Sequence, residues 1–94
     1  MHRTSDAKLI TLTGVDSSPA YSTNPATHGD VILVHGDVQS GTPSWTVQGR
    51  VSPNAGWVDL LDADETSSKV VAVAACREIR FKQTGTGSTD FYMQ

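Results

Sequence analysis

From Trp45 onward, apolar and polar residues alternate one by one. Trp45, Val47, Gly49 and Val51 share one parity, and Thr46, Gln48, Arg50 and Ser52 share the other. Ile79 and Phe81 alternate in the same way with Glu78, Arg80 and Lys82. A period of two marks half-buried antiparallel strands, because successive side chains leave a strand on opposite faces. Upstream, 8–13 reads as a strand with Ile10 and Leu12 on one face. Gly14–Pro19 reads as a turn, and 20–22 as a short edge strand. Two stretches break the alternation. Val31–Val34 and Val70–Cys76 are apolar on both parities, which predicts central strands covered on both sides. Between them, 36–43 reads as a loop, with Gly36, Gly41 and Pro43 as breakers.

The remaining segments follow the same logic. Strands over 44–52 and 57–61 flank Pro53–Gly56, which predicts a hairpin with a short loop. Residues 62–68 form a polar turn. The β-branched pair Val70–Val71 argues against a helix over 62–75. Gly85–Ser88 reads as a hairpin turn, and 89–94 closes the chain with Phe91 and Met93 on one parity. The sum is seven or eight short strands separated by Gly, Pro, Asn and Asp, the spacing of an all-β, two-layer antiparallel sandwich. Its expected core is Ile10, Leu12, Ile32, Val34, Trp45, Val47, Val51, Leu60, Val71, Val73, Ile79 and Phe81. Residues 1–7 are polar and without period, so they read as a flexible arm before a single domain over 8–94.

Composition narrows the function classes. The 94 residues suit one small domain. Seven basic and ten acidic residues give a net charge of −3, unlike the dense basic surface that a nucleic-acid-binding domain needs. A lone Cys76 excludes an intramolecular disulfide and reads as a small core hydrophobe at a strand end. The N-terminus lacks the apolar stretch of a secretory signal, and the longest apolar run is too short to cross a bilayer.

No catalytic, cofactor or metal set emerges. His2, His28 and His35 lack the spacing that presents two imidazoles to one metal. Asp59, Asp62, Asp64 and Glu65 cluster, but without the glycine-bearing loop of an EF-hand they read as a solvated turn. No serine sits in a Gly-x-Ser-x-Gly elbow, and Gly85–Ser88 lacks the lysine and helix of a phosphate loop. The expectation is a protein that is not an enzyme. Trp45 shares parity with Val47 and belongs to the core. Trp57 has the opposite parity to Val58 and Leu60, so if those two face inward its indole faces solvent or a partner.

Three segments carry a resemblance: Trp45–Ser52 (WTVQGRVS), Gly56–Leu60 (GWVDL) and Cys76–Gly85 (CREIRFKQTG). Together they resemble small β-sandwich domains from the structural gene modules of tailed bacteriophages. They are also similar to the later strands of discoidin-like jelly rolls, although the front half here is shorter. The resemblance implies a jelly-roll-like virion protein made in the host cytoplasm. Its most direct form is a decoration, or cement, protein on the capsid surface; a head-fibre or tail subunit is the other form. The implied partner is the major capsid protein or another virion protein. Exposed sheet edges predict self-association, a trimer being one closed form. The residues expected to meet a partner are His2, Arg3, Thr4 and Ser5 in the arm, with Trp57 and Tyr21. The alternative is a glycan- or receptor-binding module of a tail or fibre, using Trp57 or Tyr21 beside Asp and Asn side chains.

Overall fold

The computed structural model describes residues 7–23 and 29–94. Nine strands and no helix occur among them: β1 (Ile10–Thr13), β2 (Asp16–Ser17), β3 (Tyr21–Ser22), β4 (Val31–Gly41), β5 (Ser44–Arg50), β6 (Val58–Asp59), β7 (Lys69–Ala74), β8 (Glu78–Thr84) and β9 (Gly87–Met93). They form two antiparallel sheets. One has four strands in the order β1-β9-β4-β7. The other has five, in the order β2-β8-β5-β6, with β3 also on β8. With β3 set aside, these two four-strand paths are those of a jelly roll. The molecule is 21 Å thick along its shortest axis, as two sheets about 10 Å apart with their outer side chains require.

The core lies between the sheets. Leu12, Ile32, Val34, Trp45, Val47, Val71, Val73, Ile79, Phe81 and Phe91 are buried, and Ile10 and Leu60 pack against them half-buried. The aromatic rings form its spine. Phe81 stacks on Phe91 with centroids 4.6 Å apart, and Trp45 meets Phe91 edge-on at 5.6 Å. The Trp45 indole N–H donates to the Ser67 carbonyl at 3.1 Å, so burying the ring leaves no stranded donor.

Several expectations are corrected. Val51 is 73% exposed. The pairing of β5 with β8 ends at Arg50, so the alternation stops one residue before Val51 reaches the core. Phe91 replaces it in importance. The loop expected over 36–43 is mostly strand, because β4 continues to Gly41 with a bulge between Val38 and Ser40. Gly36 permits this, since a Cβ there would lie 2.5 Å from the Trp45 ring. Within the expected turn 14–19, Asp16 and Ser17 pair with β8. Pro19 cannot continue that ladder. Ser18 bridges the gap: its N–H donates to the Phe81 carbonyl, and its hydroxyl accepts from the Phe81 N–H, each at 2.8 Å. Gly85 and Thr86 do not close a hairpin, because β8 and β9 lie in different sheets; this pair of residues carries the chain across the sandwich. The β5–β6 hairpin does form, but over the longer connection 51–57.

The largest correction concerns the two-sided strands. Ile32, Val34, Val71 and Val73 face the core as expected. Their neighbours Val31, Leu33 and Val70 are 52%, 45% and 56% exposed, so the other side of these strands is open rather than covered.

Candidate functional site

Trp57 precedes β6 on the outer face of the five-stranded sheet. Gln48 and Arg50 on β5, with Glu78 and Arg80 on β8, occupy the outward parity. The register sets Gln48 opposite Arg80 and Arg50 opposite Glu78. Arg50 Nε donates to Glu78 Oε1 at 2.7 Å, and Arg80 Nε donates to Gln48 Oε1 at 2.8 Å. Gln48 Nε2 in turn donates to Asp59 Oδ1 at 2.8 Å. The two guanidiniums lie 4.2 Å and 4.7 Å from the Trp57 ring centroid. The indole is therefore half-buried under two cations, not presented to solvent, and Val58 beside it is 63% exposed instead of facing the core. Two arginines face two carboxylates, so the cluster carries no net charge to attract a ligand. Its chemistry is that of a clasp, with cation–π contacts worth about 0.5–2 kcal/mol each according to burial. The sequence shows the outward parity of Arg50 and of Arg80 on their own strands, but only the β5–β8 pairing brings both to the Trp57 ring.

Tyr21 sits on the other side of this sheet. It is opposite Ile79 in the register, and its ring lies 5.6 Å from that of Phe81. Burial pushes its phenol above the ordinary value of 10.0. Tyr21 thus belongs to the rim of the core, and the structure does not bring it together with Trp57. His2, Arg3, Thr4 and Ser5, like His28, lie outside the described residues.

The expected acidic cluster also separates. Asp59 is held by Gln48, and Glu65 pairs with Lys69 at 3.6 Å, while Asp62 and Asp64 are exposed. Among the described residues, no three metal-ligating side chains converge.

The surface that sequence reasoning missed is the outer face of the four-stranded sheet. Register places Val31 beside Ala74, Leu33 beside Ala72, and His35 between Val70 and Tyr92. The His35 and Tyr92 rings lie 5.6 Å apart. Leu9, whose N–H donates to the Phe91 carbonyl, continues the apolar band past the end of β1. Beyond it the face turns acidic. Asp90 accepts from Thr11 Oγ1 at 2.5 Å and pairs with Lys8 at 3.8 Å, and Asp37 opposite it accepts from Ser68 Oγ at 3.2 Å. The signal is the double-sided apolar pattern itself, which predicts a strand covered on both sides, whereas the chain covers only one.

Beside this face, a groove of about 440 Å³ runs between residues 60–63 with Glu65 on one wall and residues 69–72 of β7 on the other.

No protein-family model, curated protein or solved structure matches this chain.

Proposed function

We propose that this protein is a non-enzymatic structural component that binds a larger assembly through the outer face of its four-stranded sheet. The assembly is the capsid shell of a tailed phage, which the protein decorates and stabilises. One observation supports surface binding above the rest: β4 and β7 are apolar on both parities, yet only one side meets a core. An exposed contiguous apolar patch on a small soluble domain marks an interaction site. The shell as partner rests on the resemblance of the later strands to phage structural modules.

The energetics fit a protein used in many copies. The apolar part of the face is Val31, Leu33, Val70, Ala72 and Ala74 with Leu9 and Tyr92 at one end, partly exposed, so its burial contributes on the order of 5–10 kcal/mol. Association itself costs about 4–15 kcal/mol, so one face alone binds weakly. On a symmetric lattice, linked sites act together, and preferential binding to the assembled shell stabilises it by linkage. The glycan-binding alternative needs an open aromatic platform, and the Trp57 ring is already engaged by arginines.

Electron microscopy of purified particles tests the reading. The expected result is density for this protein repeated across the head surface, with the β4–β7 face against the shell. A handful of copies at the tail, or contact through the Trp57 face, overturns it. Deleting residues 1–7 tests the arm as a strap: folding is retained and attachment weakens.

A further inference from the structure

We propose that β7 pairs with β7 of a second copy of this chain, in antiparallel orientation about a two-fold axis at Ala72. The four-stranded sheets of two molecules then join into one continuous sheet of eight strands. This inference stands on the geometry of a sheet edge and is independent of the shell.

The sandwich has four sheet margins, and three are blunted. The β2–β3 margin is interrupted by Ser18–Pro19–Ala20 and carries Asp16. At its opposite margin, β6 has two residues and carries Asp59. The β1 margin has four residues, alternates with threonine and is preceded by Lys8. Short strands, prolines and charges are the usual devices against edge pairing. The β7 margin carries only one of them, the charge of Lys69 at its first residue, and that side chain pairs with Glu65 at 3.6 Å. It runs six residues, and from Val70 to Cys76 it contains no charge, proline or glycine. Among the described residues, no strand pairs with its outer edge.

Hydrogen-bond parity identifies the groups on offer. The N–H of Leu33 and that of Gln94 each donate to the other's carbonyl, so the odd-numbered residues of β4 bond toward β9 and the even-numbered ones toward β7. The register sets Ile32 opposite Val73 and Val34 opposite Val71. Ala75 N–H donates to the Asp30 carbonyl, in phase with this pattern. Val70, Ala72 and Ala74 therefore direct their backbone groups away from the sheet. An axis at Ala72 sets Val70 against Ala74 of the second copy and Ala72 against its own equivalent. All three outward residues meet outward residues; the Ala74 carbonyl already accepts from the Cys76 N–H at 3.0 Å, so about four intermolecular hydrogen bonds form on unengaged groups.

The side chains suit that register. Antiparallel pairing sends the second copy's 72–75 segment, Ala-Val-Ala-Ala, alongside residues 69–72, where the groove lies. Three of these four side chains are methyl groups, and Leu60 and Leu61 give the groove an apolar wall. No charged residue is brought opposite another of its sign. Each chain has one such edge and the two-fold consumes both, so association closes at two copies. The outward apolar bands of the two molecules become one.

Sedimentation of the full chain from dilute to millimolar concentration tests this, beside Ala72→Pro and Val70→Lys. The Ala72 N–H faces outward, so proline there removes no bond within the sheet. The expected result is a dimer for the wild type and loss of the dimer in both variants, with strand content unchanged by circular dichroism. If Ala72→Pro fails to fold, Val70→Lys decides, since its side chain points into solvent in the single chain. In a Cys76→Ala background, Ala72→Cys should give a disulfide-linked dimer and Val15→Cys should not, because directly opposed bonded residues lie about 5.5 Å apart, within disulfide range. A wild type that stays monomeric at every concentration overturns the proposal. So does dimerisation undiminished in a folded variant, or equal cross-linking from both cysteines.

Discussion

On the five-stranded sheet, the outward positions Gln48, Arg50, Glu78 and Arg80 bond to one another and enclose Trp57. On the four-stranded sheet, the outward positions Val31, Leu33 and Val70 are apolar and about half exposed. Both faces back onto the same core. The first pairs Gln48, Arg50, Glu78 and Arg80 within the chain and buries the Thr46 hydroxyl, so it has little left to offer a partner. The second holds side chains whose transfer out of water the chain does not complete. The conspicuous aromatic residue marks the self-sufficient face, and plain valines, leucine and alanines mark the available one.

The comparison is tested most severely on β4, where inward and outward neighbours adjoin. Gly36→Ala would set a methyl 2.5 Å from the Trp45 ring. We expect a loss of about 1–3 kcal/mol in urea unfolding, as for other overpacked cores. A loss below about 0.5 kcal/mol would show that the inner face gives way freely.

Trp57→Ala should cost about 1–2 kcal/mol, because two cation–π contacts go and the Gln48–Arg80 bond is opened to water. Attachment to the assembly should survive this change, and its loss would move the binding site to the five-stranded sheet. Leu33→Lys makes the opposite prediction. Stability should move by no more than about 0.5 kcal/mol, since the side chain already meets solvent, while attachment is lost. A large loss of stability would mean that the outer face is covered within the chain.

The smallest effect concerns Tyr21. Its folded-state pKa is raised above 10.0 by burial, so the unfolded chain releases the phenolic proton first. Stability is unaffected below pH 10 and declines as pH climbs through the raised value. Tyr21→Phe should remove that part of the alkaline decline, and an unchanged alkaline limb would place the phenol in solvent.

Alternation made the strands Ser44–Arg50 and Glu78–Thr84 readable, and with them Trp45, Val47, Ile79 and Phe81 as core. It failed where a strand ended or crossed between layers. Val51 keeps the inward parity but lies past the last ladder pair. Gly85 has the look of a hairpin turn yet joins two sheets. Gly36 has the look of a breaker yet holds mid-strand, because Trp45 occupies the space a side chain would need. Trp57 lies off the core, but not through the parity expected of it, since Val58 is 63% exposed instead of facing inward and the indole is covered by arginines. Its arginine partners come from strands nearby in space, which local spacing does not reveal.

Taken alone, the residues determine that the chain is all-β, that its strands pair antiparallel, and which positions are apolar, because backbone sterics and a two-residue period are local properties. Only the tertiary structure decides which face of Val31–Val34 and Val70–Ala74 is inside. Both parities are apolar there, so the strands have no preference of their own. The second sheet supplies it by packing Phe81 and Trp45 against one side, and that choice leaves Val31, Leu33 and Val70 exposed on the other.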